Sequence, residues 1–339
     1  MNRTMQLLVR WLCPFVSIAA LACGGSESEP VDVGDASPGV DATGDSPVGN
    51  DSAQTDVVQD GDTGLDAPIG NDAAPADGAS DGNAAEAAVD AGPDVVAPDG
   101  FTLVWSDEFD APGLPDDSRW GYDVGGHGWG NGESQYYTDH RSENARVENG
   151  TLIIEAHKES FEGSEYTSAR LVSTDKGDWV YGRFEARAIL PAGRGSWPAI
   201  WMLPTDWTYG GWPDSGEIDI MEHVGYDLGN IHGTVHTKAY NHTLGTQKGG
   251  STFVSDVTTN YHVYAVEWSP DRIDFFVDST LYYTFEKEPG DFSVWPFDQR
   301  FHFVLNVAIG GAWGGVQGID DNAFPQRMVL DYVRVFQKP

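Results

Sequence analysis

Apolar and polar positions alternate with a two-residue period through most of the chain beyond residue 100. Phe101 to Trp105, Val147 to Glu155, Ala169 to Thr174 and Gly182 to Leu190 each read as a strand. Ile231 to His236 continues the alternation. Tyr261 to Ser269, Arg272 to Val277 and Leu281 to Lys287 form a predicted meander, with Asp278-Ser279 at a hairpin turn. Within it Ile273, Phe275 and Val277 alternate with polar or aromatic residues, as in a sheet with one buried face. Phe301 to Ile309 is a long apolar strand, and Arg327 to Phe336 closes the series. Many short strands, few helical periods and abundant glycine turns predict an all-β domain built as a two-sheet sandwich.

One stretch puts charge where that pattern calls for core. Asp214 to Gly225 reads DSGEIDIMEHVG, with Glu217, Asp219 and Glu222 set among Ile218, Ile220, Met221 and Val224. In a regular strand Glu217, Asp219 and Met221 share one face and Glu222 points to the other. A bulge near Met221 would return Glu222 to the face of the first two acids. Three carboxyls on one wall repel one another, so at least one should keep its proton above the ordinary carboxyl range. Glycoside hydrolysis requires that split: one carboxylate attacks the anomeric carbon while a protonated carboxyl serves the leaving oxygen. An acid-rich edge strand is the alternative, and the apolar flanks argue against it.

The run E-I-D-I-M-E, preceded by WPAIWML and followed by HGTVH, resembles family 16 glycoside hydrolases, and within them the laminarinases that cleave β-1,3-glucan. The resemblance covers nearly all of residues 101–339. It implies a jelly roll with a concave substrate cleft and a retaining mechanism. Glu217 would be the nucleophile, Glu222 the general acid and base, and Asp219 the group between them that tunes their protonation. No cofactor is implied for catalysis.

The same resemblance assigns further residues. The segment N-G-E-x-Q-Y-Y beginning at Asn131 would line the cleft, making Asn131 a sugar ligand; otherwise it is a turn residue. Arg170 would face sugar hydroxyls, or else pair with a surface acid. Indole faces stack on the C–H faces of sugars, and Trp197 and Trp212 are expected as cleft walls, with Trp313 as another platform or a core ring. His236 would lie near the acid/base and the sugar. His232 and His236 have helical zinc spacing, but Gly233 and the β-branched neighbours argue against a helix, and HExxH is absent. A structural calcium is implied on the convex face, held by the Asp331 side chain and the carbonyls of Glu108 and Gly150; ordinary surface acids are the alternative.

Composition divides the remaining chain. Residues 24–100 contain 18 Asp plus Glu, no Lys or Arg and no aromatic residue. Such a segment cannot bury enough apolar surface to offset its ordering entropy, and reads as a disordered tether. At full stretch it would reach roughly 250 Å. The net charge of −34 repels phosphate backbones, which excludes nucleic acid as a partner and leaves neutral polysaccharide compatible.

Ahead of the tether, Arg3 and Arg10 precede an apolar run from Trp11 to Ala22, too short to span a bilayer but suited to a signal peptide. Ala20-Leu21-Ala22-Cys23 resembles a bacterial lipoprotein box, although that box usually has Leu in the place of Ala20. It implies cleavage before Cys23 and lipidation there; plain secretion is the alternative. Both cysteines, Cys13 and Cys23, precede the folded domain. The predicted organisation is a leader over 1–22, a linker over 23–100 and a monomeric catalytic domain over 101–339, lipid-anchored and surface-exposed on a bacterial envelope.

Overall fold

A computed structural model of the chain describes residues 95–339. The expected leader, the lipidation site at Cys23 and the tether up to residue 94 lie outside the described residues. Those described build two sheets facing each other, and the one helix among them is the 3-10 turn Asp321–Ala323. The all-β sandwich expected from the alternation is the observed architecture.

The ten-stranded sheet runs in the order Thr280–Glu286, Arg272–Val277, His262–Trp268, Gly182–Ile189, Gln326–Gln337, Thr151–Phe161, Ser164–Ser168 and Gln135–Tyr137. Thr102–Asp107 also pairs with Gln326–Gln337, and Ala145–Glu148 with Thr151–Phe161. The eight-stranded sheet runs Lys248–Phe253, Asn230–His236, Glu217–Glu222, Ser196–Pro204, Phe301–Ile309, Arg170–Val172 and Gly121–Tyr122, with Asp178–Trp179 also on Phe301–Ile309. Strands far apart in sequence lie side by side, as jelly-roll connections require.

Between the sheets the facing side chains fill one apolar core. Phe184 of the larger sheet meets Phe303 of the smaller one edge-on at 5.9 Å, and Trp268 meets Phe301 at 5.3 Å. Burying a ring of this kind stabilises the fold by about 1.5–3 kcal/mol. All nine residues of Phe301–Ile309 are buried, which explains its mainly apolar reading, broken only by His302 and Asn306.

One predicted strand proves to be two, and one strand is added. The stretch expected as one strand from Val147 to Glu155 is a hairpin, in which Glu148 pairs with Thr151 across Asn149 and Gly150. Both turn residues have left-handed φ, 55° and 75°, the conformation that a two-residue hairpin turn demands. The predicted turn at Asp278-Ser279 holds, with Asp278 at φ 54° and Val277 opposite Thr280. Lys248–Phe253 is an additional strand at the edge of the smaller sheet, without a clear apolar alternation to mark it.

Candidate active site

The strand Glu217–Glu222 lies between Ser196–Pro204 and Asn230–His236. Against the first neighbour, Trp201 faces Asp219 while Ile200 faces Met221, so Ile220 is the extra residue. Against the second, Asp219 faces Thr234 and Glu222 faces His232, which counts the same extra residue. This is the bulge inferred near Met221, one position earlier. Its consequence is visible in burial: Ile218, Ile220 and Met221 all enter the core. The two consecutive core residues turn Glu222 back to the outer face with Glu217 and Asp219.

Register then lays out the cleft wall. One row across five strands carries His232, Glu222, Ala199, Asn306 and Arg170. A second carries Thr234, Asp219, Trp201 and Val304, and Glu217 stands opposite His236. Ala199 leaves space beside Glu222 where a longer side chain would stand. Gly216, at φ 89°, ends the loop ahead of Glu217; a Cβ there would meet Pro296 at 2.8 Å and Phe297 at 3.0 Å. Glycine alone allows that loop to lie flat on the core.

Each glutamate is held by an indole. Trp212 Nε1 donates to Glu217 Oε2 at 2.9 Å, and Trp197 Nε1 donates to Glu222 Oε1 at 3.0 Å. Trp313 and Trp197 meet in a T-shaped contact at 5.6 Å, and Trp313 and His232 in another at 5.0 Å. The Trp313 loop is tied to the Asn131 loop by a hydrogen bond from Ala312 N to Asn131 O, 2.8 Å. His236 Nε2 lies 3.2 Å from Asp219 Oδ2 and 3.7 Å from Glu217 Oε1. Its contact with Asp219 is close enough for charge but misaligned for a hydrogen bond, so Asp219 Oδ2 is buried without a hydrogen-bond partner.

All three carboxyls are displaced upward. Burial, then the charge of Asp219, pushes Glu217 up to about 8. Burial, then Glu222, raises Asp219 well above the carboxylate range. Burial raises Glu222, opposed by His236 and by the Trp197 indole. They cannot all be ionised together at neutral pH, and the set titrates as a unit. A proton resident on Asp219 removes the repulsion acting on Glu217, while the Trp212 donor favours charge there. The side chains of Glu217 and Asp219 are only 14% and 4% exposed, so these charges act with little solvent screening. Donor atoms of Glu217, Asp219 and His236 lie within 4.8 Å of one another, a grouping that could also hold a cation.

The other predicted sugar ligands fall on or beside this wall. Arg170 is sandwiched between the rings of Trp129 and Trp201, 4.6 and 4.7 Å away, and its Nε pairs with Asp123 at 2.9 Å. Pairing with an acid was the alternative reading, yet the row places Arg170 on the cleft face. The Asn131 side-chain amide donates to Glu133 at 3.1 Å. His232 and His236 sit on a strand, as Gly233 implied, and the helical zinc spacing does not apply. Glu108, Gly150 and Asp331 line one cavity of about 440 Å³ on the other sheet, with Asp110, Arg187 and Arg334 around it.

A network was missed. Glu133 accepts from Gln135 at 2.7 Å and from Tyr137 at 3.2 Å; the Tyr137 hydroxyl accepts from Asn306, whose Oδ1 accepts from Trp201. It braces the cleft floor from Asn131 to Trp201. Its signal was the two-residue spacing of Glu133, Gln135 and Tyr137, which puts them on one face.

Residues 132–334 match the model of the glycosyl hydrolases family 16. A β-glucanase of Rhodothermus marinus is 63% identical over 244 residues, covering 70% of this chain and 85% of that protein. A glucan endo-1,3-β-glucosidase of Cryptopygus antarcticus is 40% identical over 235 residues, 65% and 84% of the two chains. The crystal structure of the Rhodothermus marinus laminarinase superposes with a TM-score of 0.69 at 62% identity, covering 70% of this chain and 97% of that one.

Proposed function

The chain belongs to family 16 of the glycosyl hydrolases, and on that premise we propose that it is a retaining endo-hydrolase of β-1,3-glucan, mixed-linkage glucan included. The observation that carries this reading is the bulged strand that sets Glu217 and Glu222 on one face, each against an indole N–H, with Asp219 buried between them. Its relatives, a β-glucanase and a glucan endo-1,3-β-glucosidase, support the glucan.

Ionised Glu217 attacks the anomeric carbon while Glu222 gives its proton to the glycosidic oxygen. The C–O bond to the leaving sugar breaks and a glycosyl ester on Glu217 forms. Glu222, now a carboxylate, takes a proton from water, whose oxygen attacks the same carbon and releases Glu217. Two inversions return the original configuration. Asp219, between the pair, takes up a proton as Glu217 ionises, so the three buried carboxyls do not all carry charge at once. Trp197, Trp212 and Trp313 supply stacking faces, and Asn131, Arg170 and His236 the polar contacts. No step requires a cofactor.

Outside the cleft, a structural calcium at the cavity lined by Glu108, Gly150 and Asp331 is supported by the family resemblance; Asp331 would have to give up its pairing with Arg187 to reach the ion. Bound there, the ion would offset the acidity of that face and tie the first strand to the last. The sequence supports lipidation at Cys23 and a tether over 23–100 that holds a monomeric catalytic domain off a bacterial surface; metabolic labelling with palmitate, lost in Cys23→Ser, tests it.

Incubation of the purified protein with a panel of polysaccharides tests the function. New reducing ends from laminarin, released as a ladder of oligosaccharides, are expected. Binding without cleavage would favour a sugar-binding jelly roll instead.

A further inference from the structure

Beside the nucleophile's indole stands a second imidazole, that of His242. It is exposed at the tip of the loop after Asn230–His236. Its ring lies 4.9 Å from the Trp212 ring, tilted by 36°, and 5.3 Å from His236, edge-on. Among the described residues neither ring nitrogen of His242 is hydrogen-bonded, although the ring lies beside two residues of the cleft wall.

The loop that carries it is built, not loose. Asn241 is 2% exposed and acts as its internal strut. Its Nδ2 donates to the carbonyls of Thr237 and Lys238, at 3.1 and 3.2 Å. Its Oδ1 accepts from Thr243 Oγ1 and from Leu244 N, at 2.6 and 3.2 Å. An exposed ring at the tip of so constrained a turn loses little freedom on binding, which is how binding sites obtain affinity from pre-organisation. Burial, then His236, lowers the His242 pKa, so at neutral pH its ring offers one N–H donor and one acceptor. Sugar hydroxyls need that pair.

We propose that His242 is a substrate-binding residue that hydrogen-bonds a hydroxyl of the glucosyl unit stacked on Trp212, and so helps to fix that unit over Glu217. The inference rests on the glucan reading of the cleft. A residue that merely packs on Trp212 would need its ring face alone; the hydroxyl contact needs the nitrogens.

Binding of laminaripentaose, measured by calorimetry on the full chain carrying Glu217→Gln, separates these roles. Adding His242→Ala or His242→Phe should weaken binding about three- to tenfold, the worth of one neutral hydrogen bond, and His242→Gln should recover most of the loss. Equal affinity with and without His242→Ala overturns the proposal and leaves the glucan reading intact. Native affinity in His242→Phe also overturns it, by assigning the effect to packing. No binding of the pentaose in any of these proteins overturns the glucan reading and this proposal together.

Discussion

Trp212 Nε1 donates to Glu217 Oε2 at 2.9 Å, a bond between residues five apart in sequence that turns the loop before the acidic strand back onto its first carboxylate. The donor favours the ionised form of Glu217 and lowers its pKa against burial. Trp212→Phe keeps an aromatic face and removes the donor. Glu217 then ionises at higher pH, so the acidic limb of the kcat/KM profile is expected to move upward, by roughly half a unit to one unit for one hydrogen bond. A pH–rate profile on laminarin checks it; an unmoved limb would place the limb's control elsewhere.

Asp219 acts in the opposite sense. Its charge is the second cause, after burial, of the raised Glu217 pKa. Asp219→Asn removes that charge, Glu217 ionises at lower pH, and the acidic limb is expected to move downward. The same pH series on this variant gives the sign, and the opposed shifts of the two variants are the informative result. kcat should fall as well, since a neutral amide cannot pass a proton between the glutamates.

The raised Glu217 pKa is also a statement about stability. The folded chain retains a proton on this carboxyl up to about 8, while the unfolded chain releases it near the ordinary glutamate value. Between those two values the folded state binds more protons, so stability contributed by this group is present below the lower value and is lost as pH rises toward the upper one. Glu217→Gln removes the titration. Its melting temperature should match that of the native protein at pH 4 and exceed it at pH 8, by about 2–4 °C if the net gain is near 1 kcal/mol. Calorimetric melts at the two pH values check it, and a variant less stable at pH 8 would count against burial as the main cause.

Much of this site was legible because its signals are local. Alternating apolar residues give the strand, three acids in an apolar run give the chemistry, and the apolar identity of both Ile220 and Met221 forces the bulge that reunites Glu222 with Glu217. The Asn149-Gly150 turn was equally local and was passed over inside an apparently continuous strand. What could not be read was register between distant strands. Nothing in the neighbourhood of Asn306 says that it will face Ala199 and Arg170 across two strand pairs. His242 was hidden for a different reason: its position depends on how Asn241 folds a loop that has no period.

The cavity formed by Glu108, Gly150 and Asp331 carries a prediction of its own. Asp331 is paired with Arg187, and Glu108 with Arg334 at 2.7 Å, so these acids already have partners without an ion. If calcium binds, saturating it should raise the melting temperature by several degrees through linkage, and EDTA should reverse the rise. Asp331→Asn should abolish the calcium response while leaving turnover at 25 °C near the native rate, because this cavity belongs to the other sheet.

The most direct test of the two-glutamate mechanism is the configuration of the first product. Proton NMR of laminarin during the opening minutes of hydrolysis should show the β anomer of the new reducing end before mutarotation produces the α form. An α anomer appearing first would mean single displacement by water, and would contradict Glu217 as the nucleophile.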